Sequence, residues 1–310
     1  MKRFSKITTT QLARICGVSQ GTVDRALHGR EGISAETRAR ILSVAKEYDY
    51  IPSIEVGEKG HSMLIGVVLY DLYNEYFSKL AMSLVNAAGV MGYSVIFLFS
   101  DKDLKAEKSA LDYFNYIGVD GIVLFSTGSD DEEYALYLRS LMKPIVLIGN
   151  RIGELTYVGI DDCRAMYDLT HRLLRETGEG EITYFAPVLR KPLHRLNAQL
   201  LRLEGFKRAM EEWHRPYRVV VEEDALPDEC AGVLCATDYY VLRVLRHYEN
   251  DFQKPIAGFD NSAFLRYLQK RILTVEYSTD TIAEECINYL VGRKYTAEVG
   301  HSVVYSAENA

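Results

Sequence analysis

The chain has 310 residues, room for two or more domains and a sizeable core. Its 48% hydrophobic and 25% charged residues are ordinary for a soluble globular protein, no apolar run approaches a membrane span, and Met-Lys-Arg-Phe followed by polar residues is not a secretory signal. The net charge of -7 hides an asymmetry: residues 1–52 hold nine Lys and Arg against five Asp and Glu, net +4, and the remainder carries -11. That pattern is a basic head on an acidic body, which confines nucleic-acid binding to the head and repels it elsewhere.

Three short helices can be placed at the N-terminus by their caps. Thr8 with Gln11 has capping-box spacing, so a helix starts near Thr9, and Gly17 stops it. Ser19 caps a second helix, about Gln20 to His28, that ends at Gly29; Ser34 caps a third that runs toward Tyr48. Helix, tight glycine turn, helix is the outline of a helix-turn-helix. Leu12, Ala13, Val18, Val23, Ala26, Leu27, Ile41, Leu42, Ala45 and Tyr48 fall at helical spacings and are the expected core. Left outside on the second helix are Gln20, Gly21, Thr22, Arg25 and His28, short or able to bond a base edge or a phosphate.

This stretch resembles the N-terminal domain of the LacI/GalR family of bacterial transcription regulators. The resemblance rests on Leu12-Ala13, Gly17-Val18-Ser19, Thr22-Val23, Arg25, Leu27, the run Ser34 to Arg38, and Tyr50-Ile51-Pro52. It implies double-stranded DNA as partner, a palindromic operator bound by a homodimer, and a cytoplasmic, nucleoid-associated protein. Thr8, Thr9 and Ser19, at the helix starts, join the expected DNA-binding set. Two positions depart from the family pattern: Asp24 stands where serine is usual and His28 where asparagine is. The competing reading of the head is a small helical domain that binds protein.

Residues 53–62, SIEVGEKGHS, are rich in glycine and charge and are expected to form a linker. The resemblance implies a hinge helix with a leucine that wedges into the minor groove. Lys59 stands about where that leucine would be, and Gly57 and Gly60 weaken a helix.

From Met63 the pattern changes. Leu64 to Tyr70, Val95 to Phe99, Ile122 to Phe125 and Ile145 to Ile148 are β-branched and aromatic runs of the kind buried on both faces, separated by helical patterns such as Tyr76 to Met91 and Leu104 to Ile117. A second series follows at Ile182 to Phe185, Val219 to Val221, Val233 to Ala236 and Ile256 to Ala257. Alternating strand and helix predicts parallel sheets covered by helices. Only Glu222 to Ala231 separates two of these strands, too short for the usual crossover helix, and Pro227 opposes one; a thinned edge is expected there. Asn74 to Phe77, Val119 to Ile122, Val158 to Asp161, Leu203 to Phe206 and Gly258 to Asp260 resemble landmarks of the same family's body. The expected fold class is a small all-α helix-turn-helix head plus an α/β two-lobed, periplasmic-binding-protein-like (type I) body. The expected domains are a head at 1–52, a linker at 53–62, and a body at 63–310. In the body, lobe 1 covers about 63–160 plus a returning segment, and lobe 2 about 161–277 plus the C-terminus.

Catalytic signatures are not found: no nucleophile elbow, zinc-protease helix, phosphate-binding glycine loop or ligand-spaced Cys/His cluster. No catalytic residue, metal or cofactor is expected. The five cysteines are odd in number and read as thiols of a reducing cytosol, and the adjacent carboxylates Asp130-Asp131 and Asp161-Asp162 as solvated loops. An enzyme fused to a DNA-binding head is the rival that would need such a constellation. A free sugar-binding protein is another, and would carry a signal peptide and no head.

Ligands of α/β sheets sit beyond the carboxyl ends of strands. Asp71, Tyr73, Tyr76 and Phe77 follow the first strand, Asp101 the second, Ser126 and Thr127 the third, and Asn150 the fourth. In the second series come Arg190, Thr237, Asp238, Asp260, Asn261 and Tyr277. Arg202 joins them by resemblance, at the family's ligand-bonding arginine. Rings with Asp, Asn and Arg suit a sugar effector. Thr237 replaces the usual asparagine and Gly149 a frequent aspartate, so a purine or nucleoside effector stays open.

Overall fold

The computed structural model describes residues 9–27, 31–48, 61–127, 132–141, 143–190, 197–249 and 251–306. Its contacts divide the chain into two compact units, Met1–Ser62 and Met63–Ala310. The expected linker residues 53–60, Tyr50-Ile51-Pro52 and Asp130-Asp131 lie outside the described residues.

The first unit contains α1 (Thr9–Cys16), α2 (Gln20–Leu27) and α3 (Ala35–Glu47). α1 ends where Gly17 takes φ +62°, letting the Val18 N–H return to the Ala13 carbonyl at 3.0 Å. Ser19 Oγ accepts the Thr22 N–H at 3.2 Å and Ser34 Oγ accepts the Thr37 N–H at 3.1 Å, the two expected caps. Leu12, Ala13, Cys16, Val23, Ala26, Ile41 and Ala45 form the core, with Val18, Leu27, Ile33 and Val44 against it. Leu42 and Tyr48, expected inside, are exposed. Ile41 and Ala45 fix the inward face of α3, and Leu42 is turned about 100° from it; Tyr48 lies just past the last helical residue.

In the second unit, β1 (Leu64–Leu69), β2 (Ser94–Phe99), β3 (Gly121–Leu124) and β4 (Ile145–Leu147) form a parallel sheet ordered β2-β1-β3-β4. They are linked by α4 (Glu75–Val90), α5 (Leu104–Ile117) and α6 (Glu132–Ser140). The caps are local: Asn74 accepts from Tyr76 N, Asp103 from Lys105 N, and Gly118 closes α5 in the left-handed region. This is the first lobe.

The second lobe holds a sheet ordered β10-β9-β8-β7-β5-β6. Its strands are β5 (Ile182–Phe185), β6 (Tyr217–Val220), β7 (Gly232–Cys235), β8 (Ile256–Ala257), β9 (Leu273–Tyr277) and β10 (His301–Tyr305). Only β10 runs antiparallel to its neighbour. With it go α7 (Asp162–Leu174), α8 (Ala198–Glu212) and α9 (Asp238–His247). β6 and β7 are both partners of β5, and the crossover between them is a single 3-10 turn, Glu223–Ala225, with no α-helix. β6 starts two residues earlier than its apolar run suggests, at Tyr217, because pairing with Ile182 rather than hydrophobicity sets its start.

α7 and α8 pack closely. A Cβ on Gly205 would stand 2.1 Å from the Cys163 carbonyl oxygen, so only glycine fits that contact. After β9 the chain crosses back as α10 (Thr279–Leu290), which packs on α4, β3 and β4 of the first lobe, and then returns to the second lobe as β10. One hydrophobic cluster runs through both lobes, from Ile65 and Leu84 to Tyr184, Phe206 and Phe259.

Candidate functional site

The head presents one polar surface at the start of α2. Ser19, Gln20, Gly21 and Arg25 are exposed, and Thr9 and Thr22 half-buried. Ser19 Oγ and Thr22 Oγ1 share a hydrogen bond of 2.9 Å, so Thr22 belongs partly to the cap. The Gln20 side-chain amide donates to Thr10 Oγ1 on α1, a residue that sequence reasoning missed. A Cβ on Gly21 would meet nothing nearer than Ser19 Oγ at 4.0 Å, so backbone there is open to approach. Thr8 and His28 lie outside the described residues.

The body's charged centre is built from the second lobe. Arg202, on the first turns of α8, is 7% exposed and uses all three nitrogens. Nε donates to Asp162 Oδ1 at 2.7 Å and one terminal nitrogen to the Ala236 carbonyl at 2.9 Å; the other lies 3.6 Å from Asp260 Oδ1. The guanidinium carbon stands 3.6 Å above the Phe259 ring centre, a cation–π contact. Tyr277 donates its hydroxyl to Asp260 Oδ1 at 2.8 Å. Tyr76 of the first lobe meets Tyr277 at 5.9 Å between ring centres and continues into Phe77 and Phe125.

Burial holds the Asp162 and Asp260 carboxyls above the usual carboxylate range, and the Arg202 charge offsets only part of that rise. Burial also works against the Arg202 charge, but two flanking carboxylates outweigh it and hold the guanidinium protonated.

Two further contacts join the lobes. Glu75, in the first turn of α4, takes the Ala263 N–H on both oxygens, at 2.8 and 3.0 Å. Asn150 Oδ1 accepts the Ala198 N–H at the start of α8 at 3.3 Å. Asn150 Nδ2 donates to Tyr70 Oη at 2.9 Å and to the Ser126 carbonyl at 2.7 Å.

The structure thus brings Tyr76, Phe77, Arg202, Asp260 and Tyr277 together and sets Asn150 at the lobe junction. Other expected residues are directed elsewhere. Asp71 Oδ1 accepts the Tyr73 and Asn74 N–H groups of its own turn, at 2.8 and 3.3 Å, and Tyr73 is 97% exposed. Ser126 Oγ donates backwards to Glu107 Oε1 at 2.6 Å. Arg190 pairs with Glu222 at 2.8 Å on the surface. Thr237 precedes α9 without a capping bond. Asp238 is fully buried behind β8 and β9, its oxygens taking the Ser262 N–H at 2.7 Å and the Thr274 hydroxyl at 2.9 Å. Each of its oxygens takes a hydrogen bond from within the second lobe.

The solvated-loop reading of Asp161-Asp162 is corrected. Asp161 caps α7 through the Arg164 N–H at 2.9 Å, and Asp162, one residue into the helix, is buried against Arg202. The cap at Asp161 is a local signal, but the inward aim of Asp162 is set by Arg202, forty residues away in the chain. Glu107 was also missed. It is fully buried at the start of α5 and accepts from Ser126, the Thr127 N–H and the Tyr134 hydroxyl.

A helix-turn-helix unit with an open polar face, on one chain with a two-lobed α/β body whose lobes meet over a charged, aromatic-walled centre, defines a DNA-binding regulator governed by a small molecule. Residues 9–53 match the family model of bacterial regulatory proteins of the lacI family. Residues 62–225 match that of the periplasmic binding proteins and sugar binding domain of the LacI family. The chain is 25% identical over 301 residues to catabolite control protein A of Priestia megaterium, covering 87% of each chain. It is 24% identical over 317 residues to the HTH-type transcriptional repressor PurR of Klebsiella pneumoniae, covering 92% of this chain and 90% of that one. Among solved structures it resembles the Cra transcriptional dual regulator of Pseudomonas putida in complex with fructose 1-phosphate, with TM-score 0.67, 18% identity, and coverage of 80% of this chain and 100% of that one. The chain belongs to the LacI family and is a ligand-responsive, DNA-binding transcriptional regulator.

Proposed function

We propose that this regulator is a homodimeric repressor of a carbohydrate-utilisation operon, released from or held on a palindromic operator by a sugar or sugar derivative bound between the lobes. The observation that carries the effector reading is the Arg202–Asp162–Asp260 trio under Tyr76, Tyr277 and Phe259. Carboxylate and guanidinium accept and donate to vicinal hydroxyls, and rings cover the apolar face of a pyranose or furanose. The Cra relative's complex with fructose 1-phosphate is in keeping with that chemistry. The rings of Tyr76 and Tyr277 are tilted 57° to each other rather than parallel, which favours a sugar over a stacked purine. The protein carries out no catalysis on this reading and works in the cytoplasm, at the nucleoid.

Division of labour follows the chain. Residues 1–52 bind DNA, 53–62 link, and 63–310 bind effector and dimerise, with lobe 1 about 63–160 plus the returning α10 and lobe 2 about 161–277 plus the C-terminus. Self-association is supported by the outer face of the first lobe. β2 (SVIFLF) is an edge strand with no charge, Phe99 at its end is exposed, and Met82, Val85 and Val90 form an exposed apolar stripe on α4. Edge strands left uncharged invite pairing, and a two-fold axis would bury this face against its own copy.

Thermal-shift measurements with sugars, sugar phosphates and purines identify the effector, because a ligand of the native state raises Tm. Gel-shift titration on the selected operator then shows the switch. A purine that raises Tm where no sugar does would replace the sugar reading. Sedimentation of Met82→Asp with Val90→Asp against the unmodified chain tests the dimer face; an unaltered dimer rules that face out.

A further inference from the structure

α1 and α2 meet at their N-termini through side chains. Gln20, the second exposed residue of the turn, does not hang free: its carboxamide nitrogen donates to Thr10 Oγ1, ten residues back on the preceding helix. Both residues are exposed, so this bond is not demanded by burial. Its neighbours are also pinned, Ser19 to Thr22 by 2.9 Å between hydroxyls and by the 3.2 Å cap to the Thr22 N–H. A free glutamine on a surface samples its χ3 broadly. A glutamine held at one amide hydrogen has its plane restrained, and one N–H and the carbonyl oxygen, a donor and an acceptor, are left for a further partner.

Adenine presents the matching edge in the major groove, N7 as acceptor and the N6 amino group as donor. Guanine offers two acceptors there and would leave the glutamine oxygen unpaired.

We propose that Thr10 is a positioning residue for base reading: it orients the Gln20 carboxamide so that the head selects adenine at one operator position per half-site. This rests on the reading of Gln20 as a base-contacting residue. Thr10 itself touches no base on this account, and its effect passes through Gln20.

The test is a binding selection from a randomised DNA library with the full-length protein and three variants, Gln20→Ala, Thr10→Val and Thr10→Ser, alongside their melting temperatures. Valine keeps the branched shape of threonine and removes the hydroxyl; serine keeps the hydroxyl. Expected are an adenine preference at one position in each half-site, its loss in Gln20→Ala, a drop of about fivefold or more at that same position in Thr10→Val, and its retention in Thr10→Ser. The other positions and Tm should stay as in the unmodified protein. If Gln20→Ala alters that position and Thr10→Val does not, the clamp is overturned while the Gln20 reading stands. If Gln20→Ala leaves the logo unchanged, both fall. A Thr10→Val variant that melts earlier and loses preference evenly at all positions would make Thr10 a structural residue only, and a base other than adenine at the Gln20 position would overturn the edge assignment.

Discussion

The carboxylate of Glu75, at the start of α4 in the first lobe, holds the backbone N–H of Ala263 in the second lobe between its two oxygens, at 2.8 and 3.0 Å. Lys79, one turn on, lies 2.7 Å from the same carboxylate. Burial pushes the Glu75 carboxyl up, but the bonds from Lys79 and from the Ala263 N–H together hold it below the usual range. A carboxylate lowered in the folded state contributes stability above its unfolded pKa of about 4.3 and loses it as pH falls through the folded value. The lobe contact should therefore weaken only in acid, below about pH 4.3. Glu75→Ala should destabilise the body by about 1.5–3 kcal/mol at neutral pH and flatten the acid limb of the stability curve, read by urea unfolding from pH 3 to pH 7. A variant with an unchanged acid limb would remove Glu75 from the lobe contact.

Arg202 sits between Asp162 and Asp260. Removing one member of a buried ionic group leaves uncompensated charge, typically about 3–5 kcal/mol. Arg202→Ala should lower the stability of the body by that order. Adding Asp162→Asn to it should recover part of the loss, because one unpaired carboxylate is gone. The head has its own core, so half-site DNA binding by the single variant should persist below its lowered Tm. Additive losses in the double variant would show that the two side chains are not coupled.

Asp238 gives the opposite pH dependence. Burial, and next the Asp260 charge, push its carboxyl up to about 8, against the pull of its bonds to Ser262 and Thr274. A folded pKa raised above the unfolded value of about 3.9 contributes stability at low pH that is lost as pH rises through the folded value. Between about pH 4 and pH 8 this residue should therefore make the body less stable with each step upward. Tm measured across that window should decline less steeply in Asp238→Asn than in the unmodified protein, whatever its absolute level. Equal slopes would show that Asp238 is ionised throughout.

Two glycines separate backbone strain from steric clash. At Gly17 a Cβ would find nothing within 4 Å, yet φ is +62°. Gly17→Ala should cost about 1 kcal/mol, and Gly17→Asn less, since asparagine tolerates the left-handed region. At Gly205 the backbone is ordinary and the obstacle is the Cys163 carbonyl. Gly205→Ala should cost at least the upper end of about 1–3 kcal/mol for overpacking. Differential scanning calorimetry of the two variants reads both; a Gly205→Ala melt equal to the unmodified protein would mean α7 and α8 can part.

Much of this was legible before any coordinate. Caps at Ser19 and Ser34, the stop at Gly17 and the apolar runs at Leu64 and Ile182 are local signals, and local chemistry decides them. The short link from Glu222 to Ala231 told of the missing crossover helix, because chain length alone forbids it. The inward aim of Asp162, the occupied oxygens of Asp238 and the reversal of Ser126 toward Glu107 were not legible. Each depends on what stands opposite in space: Arg202, Ser262 with Thr274, and a helix start nineteen residues away. The clasp of Gln20 by Thr10 is likewise a meeting of two helices that spacing does not reveal.

The late crossing of α10 has a consequence for how the chain comes off the ribosome. Leu290 on α10 lies where a Cβ on Gly121 would stand, 2.8 Å from its Cδ2, so the inner face of β3 is covered by a residue synthesised about 170 positions later. Ser83 of α4 waits for Asp280, which accepts its hydroxyl at 2.5 Å. The first lobe therefore stays unfinished, with apolar surface bare, until nearly all of the second has been translated. At roughly 5–20 residues per second that interval lasts from several seconds to half a minute. A nascent chain of this kind is a natural client for holding chaperones, and a premature stop shortly after Tyr277 would leave both lobes incomplete rather than one.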